Sequence, residues 1–250
     1  MQLDRALYDL FEEKAYQVQV NTLSLGLAYT AVCTSDGGLG VAYTWLEDRK
    51  QPCLAHDTQG FFEGRLAIDL LSGILDSNPL KRSMALALIN ALNHKTAGNM
   101  PQDKTNEHLF DKLGVEQGTR VAMVGYFGPL MQAFQARGAE LEIIDTARAM
   151  GNFDRFCEKL GNWAEVLFLT STSILNQSTE EILTRTSKDV RTVMLGPSTP
   201  LVPEAFHHLP ITMLAGTVPL EHNGVLQAVR NGAGTRIIQR FSRKVYTVLS

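Results

Sequence analysis

Arg120-Val-Ala-Met-Val-Gly-Tyr-Phe-Gly-Pro129 is the stretch on which the fold turns. Val121 to Val124 are all apolar, and the run stops at Gly125. A short apolar run closed by glycine reads as a buried strand. Glycine at its end lets the chain turn sharply and lets a ligand approach the backbone. Pro129 suits the first turn of a helix, where a missing N–H costs little. The free N–H groups of such a turn can hold an anion.

The pattern recurs downstream. Val166–Leu169 runs into Thr170-Ser-Thr-Ser173, Val193–Leu195 into Gly196-Pro-Ser-Thr-Pro200, and Ile211–Leu214 into Ala215-Gly-Thr-Val-Pro219. Between them lie a helix over Leu130–Arg137, a strand over Leu141–Asp145 and further alternation through Glu180–Thr186 and Val225–Arg230, with a last strand over Tyr246–Leu249. Alternation of this kind predicts a mainly parallel sheet. All four loops then share one edge, where open α/β sheets bind ligands.

The first half has another texture. Asp4–Lys14 reads as an amphipathic helix, Val18–Cys33 as a strand, Ser35-Asp-Gly-Gly38 as a turn and Leu39–Trp45 as the returning strand of a hairpin. Two helices are expected over Phe61–Leu75 and Pro79–Asn93. The second is apolar nearly all round, which implies burial in a core or at a homo-oligomer contact. Thr96–Lys104, polar and holding Gly98 and Pro101, is the best linker. The expected architecture is an α+β domain over residues 1–97 and a mainly parallel, three-layer α/β domain over 98–250.

The 250 residues are 44% hydrophobic, enough for a sizeable core. A net charge of −3 gives no electrostatic reason to expect nucleic acid or an acidic membrane surface. Arg236, Arg240, Arg243 and Lys244 are spread out and read as a solvated face. No apolar stretch approaches the roughly 20 residues of a bilayer span. The start lacks a signal peptide's apolar core, and Cys33, Cys53 and Cys157 are far apart. Reduced thiols and a cytoplasmic location are expected. No Cys-x-x-Cys pair or His-rich tract suggests a closed zinc site.

The candidate site residues gather at the expected edge. Asp145 ends the strand about 20 residues after Gly125, where a ribose-binding acid would sit, although it can equally cap a turn. Thr170, Thr172 and Asn176 offer short donors and acceptors, for a ligand or for loop backbone. Two prolines make 196–200 rigid and hold Ser198 and Thr199 between them. Ser198 lies outside a Gly-x-Ser-x-Gly elbow, so it is not read as a nucleophile. Asn90 places an amide in an apolar helix, and such an amide needs partners across an interface or into a cleft. His207 and His208 diverge by roughly 100° if helical. Glu221-His222 is the better pair for metal ligation or acid–base work. Cys157 reads as a packed thiol.

Taken together, Val121-Ala-Met-Val-Gly-Tyr-Phe-Gly-Pro129, Thr170-Ser-Thr-Ser-Ile-Leu-Asn176, Leu195-Gly-Pro-Ser-Thr-Pro-Leu201 and Gly216-Thr-Val resemble the putative heavy-metal chelation domain family of bacteria and archaea. Gly40-Val-Ala-Tyr-Thr44 and Ala85-Leu-Ala-Leu-Ile-Asn-Ala91 are similar to its N-terminal part. The resemblance implies an enolase N-terminal-like domain joined to a Rossmann-like domain, with a site in the cleft between them. Carried over by motif, the cleft residues are Asn90, Gly125, Phe127, Thr170, Asn176, Gly196, Ser198 and Thr199. The ligand would be small and polar, or a divalent or heavy metal carried in a chelate, because these residues are not a cluster of thiols or imidazoles. Two other readings stand beside it. One is an enzyme using a nucleotide-like cofactor such as S-adenosylmethionine at Gly125 and Asp145. The other is a non-catalytic assembly or regulatory protein.

Overall fold

A computed structural model describes residues 1–46 and 61–249. Cys53 and His56 lie outside the described residues. Helix α1 (Gln2–Ala15) buries Leu3, Leu7, Phe11 and Ala15 along one face, the amphipathic helix expected there. Strands β1 (Val20–Leu25), β2 (Tyr29–Thr34) and β3 (Leu39–Tyr43) form an antiparallel sheet in that order. The 35–38 turn closes with Thr34 N–H donating to Gly38 O at 2.9 Å. A second turn, with Gly26 N–H on Tyr29 O at 2.9 Å, divides the expected long strand into β1 and β2. The result is a three-stranded meander rather than a single hairpin.

The helix expected over Phe61–Leu75 is much shorter. Only α2 (Ala67–Leu71) is α-helical, followed by a 3₁₀ turn over Ser72–Leu75. Residues 64–67 lie beside β1 instead. Val20 N–H donates to Arg65 O at 2.9 Å and Ala67 N–H to Val18 O at 2.8 Å. Pairing with a distant strand has overridden local helical periodicity.

Helix α3 (Pro79–Leu92) begins as its sequence dictates. The Asn78 side chain accepts from Leu80 N–H at 2.9 Å, and Pro79 occupies the first turn. Twelve of its fourteen residues are buried, between β2 and β3 on one side and α1 and α2 on the other. Its apolarity is therefore spent inside this chain and gives no argument for a homo-oligomer contact. Arg82, fully buried within it, donates to Asp4 Oδ1 at 2.6 Å and, through Nε, to the carbonyls of Ile174 and Leu175 at 3.2 and 3.1 Å.

Helix α4 (His94–Gly98) opens the stretch read as a linker. That stretch is ordered along an edge strand, with Asp103 N–H on Lys244 O at 3.2 Å and Tyr246 N–H on Pro101 O at 3.1 Å. The elements α5 (Glu107–Lys112), β4 (Arg120–Val124), α6 (Gly128–Arg137), β5 (Glu140–Ile144), α7 (Phe153–Asn162) and β6 (Val166–Thr170) follow. After them come α8 (Thr179–Thr184), β7 (Arg191–Leu195), β8 (Met213–Pro219), α9 (His222–Arg230), α10 (Thr235–Ile238) and β9 (Ser242–Val248).

The second sheet has the order β5-β4-β6-β7-β8-β9. Its neighbours pair in parallel except for β9, which runs antiparallel to β8. The expected mixed α/β class holds. On one face α5 and α6 bury Phe110 and Phe134 against Phe168, the latter two rings edge-to-face at 4.9 Å. On the other face Phe156 of α7 and Ile182 of α8 join a core continuous with Leu3 and Leu7. Cover on both faces explains why the inner strands are apolar without alternation.

Two expectations are corrected here. Ala215-Gly-Thr-Val-Pro219 is strand rather than loop, because β9 pairs along it from Met213–Val248 to Pro219–Ser242. The last strand is correspondingly longer than Tyr246–Leu249. Helix α9 then leaves the second sheet altogether. Its Val225 and Val229 pack with Tyr29, Ala31 and Val41 on the outer face of the antiparallel sheet.

Candidate functional site

The chain runs from β4 outward to β5 and then back past β4 to β6, so the segments after β4 and β6 leave toward opposite faces of the sheet and a crevice opens between them. Gly125 takes φ +84° directly after β4, and a Cβ there would lie 3.1 Å from Thr170 Cβ at the end of β6. The Thr170 hydroxyl pairs with that of Thr172 at 2.9 Å. Asn176 Oδ1 accepts from the Ser178 hydroxyl at 2.8 Å. Asp145 fixes the turn from the side. Its carboxylate accepts from Tyr126 N–H at 2.9 Å, Arg148 N–H at 3.1 Å and the Arg148 guanidinium at 3.0 Å. Both of its oxygens are engaged by the protein.

Two hollows meet at this crevice, with Tyr126, Phe127, Thr170 and Thr172 lining both. The first, about 310 Å³, is lined by Gly125, Asp145, Arg148 and Asn176, and by Tyr43 and Trp45 reaching in from the end of β3. The second, about 250 Å³, extends toward β9 past Gly196, Ser198, Asp103, Lys244 and Tyr246.

The 196–200 loop walls the second hollow and is stitched to the first half of the chain. Gly196 takes φ +127°, a conformation L side chains avoid, and a Cβ there would stand 2.9 Å from Ser171 Oγ. That hydroxyl is buried and has no hydrogen-bond partner. Ser198 Oγ accepts from Tyr43 N–H at 2.7 Å. The Asn90 amide donates to Val41 O at 2.9 Å and Ser198 O at 3.3 Å, and that of Asn93 to Leu201 O at 2.7 Å. Asn90 thus joins α3, β3 and the loop. Asn90 and Thr199 sit behind the loop on a void of about 10 Å³, no larger than a water.

Gly125, Phe127, Asp145, Thr170, Thr172 and Asn176 therefore share the first hollow, and Gly196 and Ser198 border the second. Glu221 and His222 stand exposed at the start of α9 and line neither hollow. Among the described residues no group of three or more His, Cys, Asp or Glu side chains is placed to hold a metal. Burial pushes the thiols of Cys33 and Cys157 up from their ordinary range.

Among the lining residues not read from sequence as site candidates are Asp103, Lys244 and Tyr246. Lys244 corrects an expectation, since it is half-buried rather than part of a solvated face. Its ammonium donates to Asn106 Oδ1 at 3.2 Å, and burial pushes its pKa down while Asp103 partly opposes the shift. Arg243, on the other side of the strand, donates to Gly98 O. Alternation along 242–248 was the available signal, because an edge strand turns every second side chain inward. Asp103, in a polar stretch, had none.

Two sheets sharing one chain, one antiparallel and one mostly parallel, define a mixed α/β class, with a hollow at the parallel sheet's carboxyl edge walled by loops from both halves. The chain belongs to the DUF364 family, described as "Putative heavy-metal chelation". That family's profile matches residues 108–248, and DUF4213, under the same description, matches 8–93. An uncharacterized protein of Methanocaldococcus jannaschii is 23% identical over 255 residues, covering 98% of this chain and 95% of that one. A DUF364 crystal structure of unknown function from Pyrococcus horikoshii superposes with TM-score 0.79 at 20% identity, over 100% of both chains. Another from Desulfitobacterium hafniense DCB-2 gives 0.76 at 18% identity, over 98% of this chain and 99% of that one. At these identities the likeness is one of fold. Among the described residues no helix is long and apolar enough to cross a membrane.

Proposed function

We infer that the protein binds a small ligand at the carboxyl edge of its parallel sheet, and that the ligand is a metal ion already held in an organic chelate. The observation that carries this reading is the pair of hollows at the β4–β6 crevice, walled by hydroxyls, amides and aromatic rings. Soft and borderline metals are bound directly by thiolates and imidazoles. Hydroxyl, amide and aromatic groups instead suit the polar and apolar surface of an organic shell. The family description supports the metal.

Calorimetry on the whole chain tests this with nickel, cobalt and iron(III), each as the bare ion and as its citrate and nitrilotriacetate complexes. At least one complex should bind saturably, and Thr170→Val should weaken it by roughly tenfold through one lost hydrogen bond to a charged group. Bare ions binding as tightly as their complexes, or no heat from any probe, overturns the reading. S-adenosylmethionine, NAD and ATP serve as the contrast. A nucleotide-like cofactor needs a free ribose acceptor, and Asp145 is engaged by Tyr126 and Arg148. These three should leave the melting temperature unchanged.

A further inference from the structure

The two hollows share an asymmetry of charge. Each holds one cation and one carboxylate, and in each the carboxylate serves the protein's own backbone. In the first hollow the Asp145 carboxylate accepts from the N–H groups of Tyr126 and Arg148 at 2.9 and 3.1 Å. In the second, Asp103 Oδ2 accepts Leu109 N–H at 2.9 Å, and Oδ1 is buried away from the open space. The cations are placed differently. Lys244 Nζ carries three hydrogens and spends one, on the neutral Asn106 Oδ1 at 3.2 Å, beside the hollow that Asn106 also lines. Burial pushes its pKa down, and Asp103 only partly opposes the shift, so this ammonium is short of counter-charge. Arg148 lies over the Tyr126 ring, 5.3 Å from its centroid, and gives one N–H to Asp145 Oδ2 at 3.0 Å. Its side chain is 57% exposed, which leaves the rest of the guanidinium fork open where it lines the first hollow.

We propose that the bound chelate is an anion carrying carboxylates at two ends, one meeting Lys244 in the second hollow and the other meeting Arg148 in the first. It would lie across the wall the hollows share, formed by Tyr126, Phe127, Thr170 and Thr172. This deepens the function proposed above and rests on that reading of the edge as a chelate site. Chelation and recognition then use different atoms. A carboxylate that binds its metal through one oxygen keeps the other for hydrogen bonds, and the protein reads that outer oxygen. Arginine and lysine N–H groups make their strongest hydrogen bonds to such charged acceptors. A neutral or cationic chelate would leave Lys244 half-buried with no added counter-charge.

The test is calorimetry on the whole chain with three cobalt(III) chelates of similar size, whose ligands exchange too slowly for a protein side chain to displace them. They are the anionic ethylenediaminetetraacetate complex, the neutral tris-glycinate and the cationic tris-ethylenediamine. The anion should bind at least about tenfold more tightly than either of the others. Lys244→Met should weaken the anion by about tenfold, and Lys244→Arg should keep most of the affinity. Arg148→Met should weaken it by roughly threefold, because that cation is more exposed. Far-UV circular dichroism should be unchanged, and the comparison among complexes stands even if a variant fails to fold. Equal binding of all three complexes, or an anion held as tightly by Lys244→Met or Arg148→Met as by the parent, overturns the proposal. So does silence from all three while a citrate or nitrilotriacetate complex binds. The broader reading survives each of these results. No binding by any chelate overturns both.

Discussion

Single side chains at this site serve the backbone as much as any ligand. Asp145 could have faced a ribose, and it holds the Tyr126 turn instead. Asn90 needed partners and found them on β3 and the 196–200 loop. Tyr29 shows the same economy with a measurable consequence. It is 6% exposed, its hydroxyl lies 2.5 Å from Thr235 Oγ1, and burial pushes its pKa up to about 12. The unfolded phenol titrates near 10. Tyr29 therefore contributes stability that is complete below about pH 10 and is lost as pH rises toward 12. At about 1.4 kcal/mol per unit the loss is about 2–3 kcal/mol. Tyr29→Phe should cost about 1 kcal/mol at neutral pH, from the Thr235 bond, and should flatten the alkaline limb. Urea denaturation at pH 8, 10 and 11.5 reads both. A phenylalanine variant that declines as steeply as the parent would refute the assignment.

Between elements, the buried Arg82–Asp4 pair decides how α1, α3 and the turn after β6 meet. Gln177 adds a donor to Asp4 Oδ2 at 3.2 Å, so the pair sits in a network rather than in isolation. Removing one partner leaves a buried charge uncompensated, which costs about 3–5 kcal/mol, whereas replacing both by apolar groups is often neutral. Arg82→Met alone should lose stability in that range, and adding Asp4→Leu should recover a large part of it. Equilibrium unfolding in urea measures the cycle. A loss under about 1 kcal/mol for the single variant would mean the network is not a strong constraint. Close approach matters equally at Gly40 of β3, where a Cβ would stand 2.2 Å from Ala87 O and Ala91 N of α3. Strand and helix backbones touch there, and only glycine permits it.

Across the whole molecule, the last third of the chain returns to the first. Helix α9 seals the outer face of the antiparallel sheet, while α3 seals the inner face and is itself covered by α1. A fragment of residues 1–97 would leave Tyr29, Ala31, Leu39 and Val41 uncovered. Such a face on a free monomer invites association. Expressed alone, the fragment should bind a hydrophobic-surface dye and elute as aggregate in size exclusion, while the whole chain melts in one transition. A monomeric, dye-silent fragment would show that α9 is dispensable to that sheet.

What the sequence determined by itself was local. The strands β4, β6 and β7, the glycine- and hydroxyl-bearing turns after them, the 35–38 turn and α3 from Pro79 onward all follow from periodicity and turn chemistry within a few residues. The strings quoted from those turns were also enough to place the chain in its family. Tertiary structure decided everything that depended on a distant partner. Residues 64–67 gave up a helix to lie beside β1, 215–219 became strand because β9 pairs with them, and Lys244 entered a hollow because β9 is the edge against which 101–103 run. The physical reason is common to all three. An apolar or polar pattern records how much burial a segment will accept, but backbone N–H and C=O groups must be paired by whatever strand the fold brings alongside. That partner is named only by the three-dimensional arrangement.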